Sequence, residues 1–284
     1  MYSVASPYSP SRSAWRLTPA LAILLAASNA FGQLPHDGPT NAIALAASLP
    51  NYDVSTVKQN IISGDSGYGT GFHPNNDSFS AFNVTLKYVI ELAYGVEEDQ
   101  IFGLSGPVSS ARFDIKAKVV PPDGGPMPKL TRTQLAAMLI PLLADRFHLT
   151  MHLETKVLPV YELVVARGGP KFELSQDERT ACDWGLGLTN FSNTLNAKSC
   201  FMAELATKLS DQVHRKVIDK TGLTGRAGSI TLKWSNDVAA EHGGESNAPS
   251  IFTAVNEQLG LKLQPSKGPL DTVVIDHAEM PSAN

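Results

Sequence analysis

The chain has 284 residues, 43% of them hydrophobic and 18% charged, with a formal net charge of −4. An acidic excess argues against nucleic acid as a partner, because such binding rests on neutralising phosphates. About 250 residues beyond a leader suffice for two ordinary hydrophobic cores, so the fold is expected to need no metal and no cofactor.

Arg12 and Arg16 lead into Leu17 to Ala27, an apolar run too short to span a bilayer, followed by the small residues Ser28 and Ala30. This pattern predicts a secretory signal over residues 1–30, cleaved after Ala30. No cysteine near that point offers a lipid attachment, and no later run reaches the roughly 18 apolar residues of a membrane helix. The expectation is an exported soluble protein, secreted or periplasmic. Residues 31–50 carry no clear pattern and read as a linker, and Tyr52 to Lys58 is a short strand candidate.

Two stretches then share one apolar spacing. Leu86, Val89, Ile90 and Ala93 stand at i, i+3, i+4 and i+7, the face of an amphipathic helix, and Met202, Leu205, Ala206 and Leu209 reproduce it about 116 positions later. Asn83 and Ser199 precede the two sets, each with a side-chain oxygen able to cap a helix start. Leu135, Met138, Leu139 and Leu143 are matched at the same offset by Ile251, Ala254, Val255 and Leu259. Thr131 and Gln134 form a candidate capping box, and Pro141 predicts a kink or early end.

Strands fall around these helices. Phe113, Ile115, Ala117 and Val119 alternate with polar residues, as do Ile230, Leu232 and Trp234. Further strands are expected at Phe147 to Glu154, Val160 to Val165, Leu261 to Gln264 and Val273 to Ile275. The prolines and glycines of Pro121 to Pro128 mark a loop, and residues 236–249 form a second long one. The fold class expected is α+β: a tandem duplication of a small strand-helix-strand(s)-helix-strand-strand unit, each sheet packed against two helices. The units are assigned to 51–174 and 191–284, with a linker at 175–190.

Cys182 and Cys200 are the only cysteines. In an exported chain they are candidates for a structural disulfide. The competing reading makes Cys200, which stands at the place of Val84 in the repeat, a small buried hydrophobe.

Asn83-Val-Thr-Leu86 with Ala93-Tyr-Gly-Val96, Asp145-Arg-Phe147 with His152-Leu-Glu-Thr-Lys156, and Pro159-Val-Tyr161 with Gly168-Gly-Pro-Lys171 carry a family resemblance. So do Asp219-Lys-Thr-Gly-Leu-Thr-Gly225, Phe252-Thr-Ala254 with Glu257-Gln-Leu-Gly-Leu261, and Val274-Ile-Asp-His277. Together they resemble a secreted, soil-associated family of unknown function that is expanded into paralogues in Acidobacteria. The chain departs from the family's usual pattern at Leu153 and Gln59. In arrangement alone, each unit also looks like the short periplasmic domain of secretins and TonB-dependent receptors.

Several constellations invite chemistry. His148 and His152 would share one face of a helix and ligate a metal, but their surroundings alternate as a strand, which separates them by about 13 Å, so no metal site is assigned. Ser55-Thr-Val-Lys58 and Lys220-Thr-Gly222 match two signatures of penicillin-binding proteins, yet Ser55 lies among β-formers and the middle signature is missing. Gly64-Asp-Ser-Gly67 resembles a protease nucleophile loop, whose histidine and aspartate must precede the serine, but the one histidine that does, His36, lies in the linker, so the stretch reads as a glycine loop. Asp219 to Gly225 reads as a turn in which glycines take positive φ and the Asp and Thr side chains bond nearby backbone. No catalytic residue is assigned. The functional expectation is a non-enzymatic binding module for an extracytoplasmic protein, peptide or polysaccharide. The alternatives are a secreted serine hydrolase using Ser55, Lys58 and Lys220, and a periplasmic sensor working with a membrane protease or receptor.

Overall fold

The computed structural model describes residues 38–61, 69–73, 78–120, 130–175, 182–188, 192–235 and 248–281. The leader 1–30, the glycine loop 64–67, the proline-rich loop 121–128, half of the stretch 175–190 and most of 236–249 lie outside them. Helices and three four-stranded sheets make an α+β fold.

The first flanking sheet has the order β1-β5-β3-β2, from β1 (Val54–Asn60), β2 (Gly69–His73), β3 (Ser78–Thr85) and β5 (Arg112–Lys118). On it pack α2 (Leu86–Tyr94), α4 (Arg132–Ala137) and α5 (Leu139–Phe147), with α1 (Pro39–Ala46) against α2 and α4. Helix α1 lies inside the stretch read as a linker. Eight residues are too few for a period to show, and its one signal is Pro39 in the first turn, where a missing N–H costs nothing. A short α3 (Pro107–Ser110) leads into β5.

The expected apolar faces are buried. Leu86, Val89, Ile90, Leu135, Met138, Leu139 and Leu143 are all fully enclosed, as are Phe113 and Ile115 on β5. The capping box forms, with Gln134 N–H donating to Thr131 Oγ1 at 3.2 Å and Thr131 N–H donating to Gln134 Oε1 at 2.8 Å. The helix then breaks at Met138. Pro141 has no N–H for the carbonyl of Ala137, and its ring crowds that carbonyl, so α4 and α5 are separate helices.

The second flanking sheet has the order β7-β11-β9-β8, from β7 (Leu174–Ser175), β8 (Asp183–Leu188), β9 (Ser192–Phe201) and β11 (Arg226–Ser235). It carries α6 (Met202–Val213) and α7 (Ile251–Leu259) over Ile230, Leu232 and Trp234. Helix α7 ends at Gly260, whose φ of 66° suits glycine, and an added Cβ would collide with the carbonyl oxygen of Gly169.

Between the flanking sheets runs a central one, of order β10-β6-β12-β4. Its long strands, β6 (Thr150–Val165) and β12 (Leu261–His277), pair antiparallel from Val165↔Leu261 to Thr150↔His277. The short strands β4 (Ile101–Phe102) and β10 (Val217–Asp219) add in parallel, β4 on β12 and β10 on β6. Four separate strands were expected where two long ones stand. Pro159, Pro265 and Pro269 interrupt the apolar alternation, but among the described residues neither β4 nor β10 pairs with any of the three, so a missing outward N–H breaks no ladder.

Both cores draw on the same ribbon. The first includes Leu149, just ahead of β6, with Val273 and Ile275 of β12. The second includes Leu163 of β6 with Leu261 and Leu263 of β12.

Candidate functional site

Each flanking sheet bends immediately before its helix. Asn83 has φ 55° and Ser199 φ 57°, in the left-handed region that non-glycine residues seldom enter. Neither is the cap expected of it. Helix α2 is capped two residues later by Thr85, which accepts from Tyr88 N–H at 3.2 Å, and α6 is capped by Phe201, whose N–H donates to Glu204 Oε2 at 2.7 Å. The bent residues serve a different purpose. Arg112 donates through Nη1 to the carbonyl of Asn83 at 2.8 Å, and Arg226 donates to that of Ser199 at 2.7 Å.

The bend leaves the opposite face of each sheet to solvent, and its side chains follow from strand alternation and register. On the second sheet, Asp183, Lys198 and Ser229 lie in one row across the strands, Gly185, Asn196 and Thr231 in the next, and Gly187, Thr194 and Lys233 in a third. The first two rows line an open depression of about 220 Å³. Glycine at two of the three β8 positions removes side chains from the edge strand and forms a trough beside Asn196, whose Oδ1 accepts from Thr231 Oγ at 3.0 Å. The trough offers amide, hydroxyl, ammonium and carboxylate groups beside a comparable share of apolar surface.

The first sheet repeats that plan. Gly71 pairs with Ser80, which pairs with Lys116, and His73 pairs with Ser78, which pairs with Lys118. The ring of His73 lies over Gly71, where an added Cβ would meet it, with Nε2 3.1 Å from Ser80 Oγ. Phe82, nearly half exposed, pairs with Gly69. Neither face was found from the sequence. The signal present was Gly69-Thr-Gly71 recurring as Gly185-Leu-Gly187.

The residues singled out by motif are not brought together. Ser55 pairs with Ala117 on the core-facing side of β1, while Lys58 pairs with Asp114 on the other side, so the two side chains diverge. Lys220 follows β10 in the central sheet, its N–H donating to Leu163 O at 2.9 Å. Asp219 to Gly225 is a turn of the expected kind: Asp219 Oδ1 accepts from Thr221 N–H at 2.9 Å and from its hydroxyl at 2.8 Å, and Gly222 has φ 66°. His148 is not in a strand. It is the left-handed cap that ends α5, with Nδ1 3.3 Å from Glu279 Oε2. His152 stands on β6, its Nδ1 2.8 Å from Asp276 Oδ1, and this bond raises its pKa above the usual histidine value. His277 bonds Glu279 at 2.8 Å. These exposed pairs fasten the end of β12 and the residue Glu279 beyond it to β6 and the cap of α5.

A second titrating group surrounds the end of α2. Burial, reinforced by Glu98 and Glu97, pushes Glu91 up to about 7. Burial and the nearby Asp211 push Glu97 up to about 7, against the pull of Lys216. Asp99 is also raised, chiefly by burial.

Cys182, just ahead of β8, and Cys200 on β9 form a disulfide with Cα atoms 4.5 Å apart.

Residues 87–278, more than half of the chain, match the family described as protein of unknown function (DUF3738). The chain belongs to this family. No curated protein and no solved structure matches the DUF3738 chain. Among the described residues, no helix is long and apolar enough to cross a membrane.

Proposed function

We propose that this DUF3738 chain is an exported, non-enzymatic binding module that contacts an extracytoplasmic protein, peptide or polysaccharide through the outer faces of its flanking sheets. The single observation that carries the reading is the plan common to both faces: a glycine-lined edge strand beside a strand offering Ser, Thr or Asn, with lysines in the same rows, Lys116 and Lys118 on the first face and Lys198 and Lys233 on the second. A flat surface of hydrogen-bonding groups suits a polymer rich in hydroxyl and amide groups. Export is supported by Arg12 and Arg16 ahead of the apolar run, and by a cysteine pair suited to an oxidising compartment. We further propose that the chain arose by doubling of one α+β unit, with halves at 51–174 and 191–284. Paired bends at Asn83 and Ser199, the arginines that hold them and the glycine pairs support that origin.

Glycan and peptide arrays probed with residues 31–284 test the binding role. Binding to one polymer class is expected, weakened about tenfold or more by Asn196→Ala or Gly185→Trp at unchanged Tm. Blank arrays together with blank pull-downs under native conditions overturn the reading. Covalent labelling by a fluorescent penicillin, lost in Ser55→Ala, would replace it with the hydrolase.

A further inference from the structure

We propose that Cys182, Cys200 and Glu204 form a redox-gated site for a thiophilic divalent cation such as Zn²⁺, closed while the two sulfurs are bonded and opened by a dithiol reductant. The two sulfurs and a Glu204 carboxylate oxygen all lie within 4.8 Å of one another. Two thiolates and one carboxylate are a donor set that Zn²⁺ accepts, with a fourth position left for water or another ligand.

The surroundings fix each ligand. Cys200 is fully buried on β9, whereas Cys182 is half-buried, so the site has one closed side and one side facing solvent. Glu204 sits in the first turn of α6, an element anchored by the enclosed Met202 and Leu205. Its Oε2 accepts the N–H of Phe201 at 2.7 Å, which orients the carboxylate. Charge also balances. Two thiolates and a carboxylate around Zn²⁺ leave one negative charge, and Arg226 Nη1 lies 3.9 Å from Glu204 Oε2 to offset it. Arg226 is held back from the metal position by its bond to Ser199 O and by the Phe201 ring, 4.0 Å from its guanidinium carbon.

The bend itself does not require these residues. At the corresponding points beside Asn83, the first sheet has Val84 in place of Cys200 and Tyr88 in place of Glu204, and the same bend forms.

The opening step is balanced. A dithiol reductant supplies two electrons and two protons, the Cys182–Cys200 bond breaks to give two thiols, and the reductant becomes a disulfide. Cation binding then displaces the two thiol protons to solvent, leaving metal–thiolate bonds.

The test uses residues 31–284, reduced with dithiothreitol, desalted without oxygen and titrated with Co²⁺ as a spectroscopic stand-in for Zn²⁺. The reduced protein is expected to bind one Co²⁺ per chain, with a thiolate-to-cobalt charge-transfer band and the intense visible bands of four-coordinate Co²⁺. The oxidised protein should show neither. Cys200→Ser should abolish the charge-transfer band, while Glu204→Gln, which keeps an acceptor for Phe201, should retain it with affinity lowered about tenfold or more. Absence of the band in the reduced protein, or unchanged affinity in Glu204→Gln, overturns the proposal. If reduction unfolds the chain, circular dichroism during the titration decides: recovery of the folded signal in the native sequence but not in Cys200→Ser supports the site. Cobalt uptake without such recovery overturns it.

Discussion

The two flanking sheets share a backbone and differ in what lies beneath it. Both bend at a left-handed polar residue, and both fix the bend with an arginine reaching a carbonyl. Beside the bend, the first sheet places Val84 and Tyr88, and the second places Cys200 and Glu204. One backbone solution therefore supports two local chemistries, and position-specific function is to be sought where the sheets diverge.

Four experiments bear on that comparison. The largest effect is expected in the cores. Phe147, fully buried and edge-on to Phe113 at 5.0 Å, should lose about 3–5 kcal/mol on Phe147→Ala, and Leu205→Ala in the other core about 2–5 kcal/mol. Because β6 and β12 contribute to both cores, denaturant melts of either variant should show one cooperative transition. Two resolved transitions would separate the regions.

Reducing the Cys182–Cys200 bond, which spans 18 positions, should lower stability by about 3 kcal/mol in metal-free buffer. Amide exchange should rise in β8 and β9 and stay level in β2 and β3. Equal effects in both sheets would contradict a local tether.

The two arginines come next. Arg226, 13% exposed at its side chain, stacks on Phe201, so Arg226→Ala should cost about 1.5–3 kcal/mol. Arg112 is exposed, and Arg112→Ala should cost less than about 1 kcal/mol in the same urea melts. A reversed order would show that the stacked ring contributes little.

The smallest effect is one of pH. A carboxylate whose folded pKa is raised binds its proton more tightly in the folded state, so its contribution to stability shrinks as pH climbs from the ordinary carboxylate value through about 7 and stays constant above. Glu91 and Glu97 should therefore make Tm rise as pH falls from 8 to 5, and Glu97→Gln should flatten that slope. His152, also raised, acts in the same direction: its pairing is complete below the usual histidine value and is lost as pH climbs through the higher folded one. A Tm that falls over this window would refute the assignment.

Legibility followed the strength of each periodic signal. The helix faces at Leu86 to Ala93 and Met202 to Leu209 could be read because packing enforces a 3.6-residue period over two turns or more. The break near Pro141 was readable because proline acts locally. The long strands were hidden by Pro159, Pro265 and Pro269, whose tolerance depends on which neighbours the ribbon lacks. His148 was drawn into a strand by alternation that runs past the helix end, although only a left-handed turn separates α5 from β6. The bends at Asn83 and Ser199 were seen as positions and misjudged as caps, since a polar residue before a helix serves either purpose. The outer faces were invisible because their signature is partly the absence of side chains, at Gly71, Gly185 and Gly187.

The ribbon of β6 and β12 also sets an order of events in folding. Val273, Ile275 and Met280 seal the core around α2 and β5, yet they are synthesised long after those elements. Helix α2 and strand β5 must wait, incompletely covered, for β12 to return to them. Such distant contacts predict slow acquisition of the native state and an interval of vulnerability to aggregation before closure.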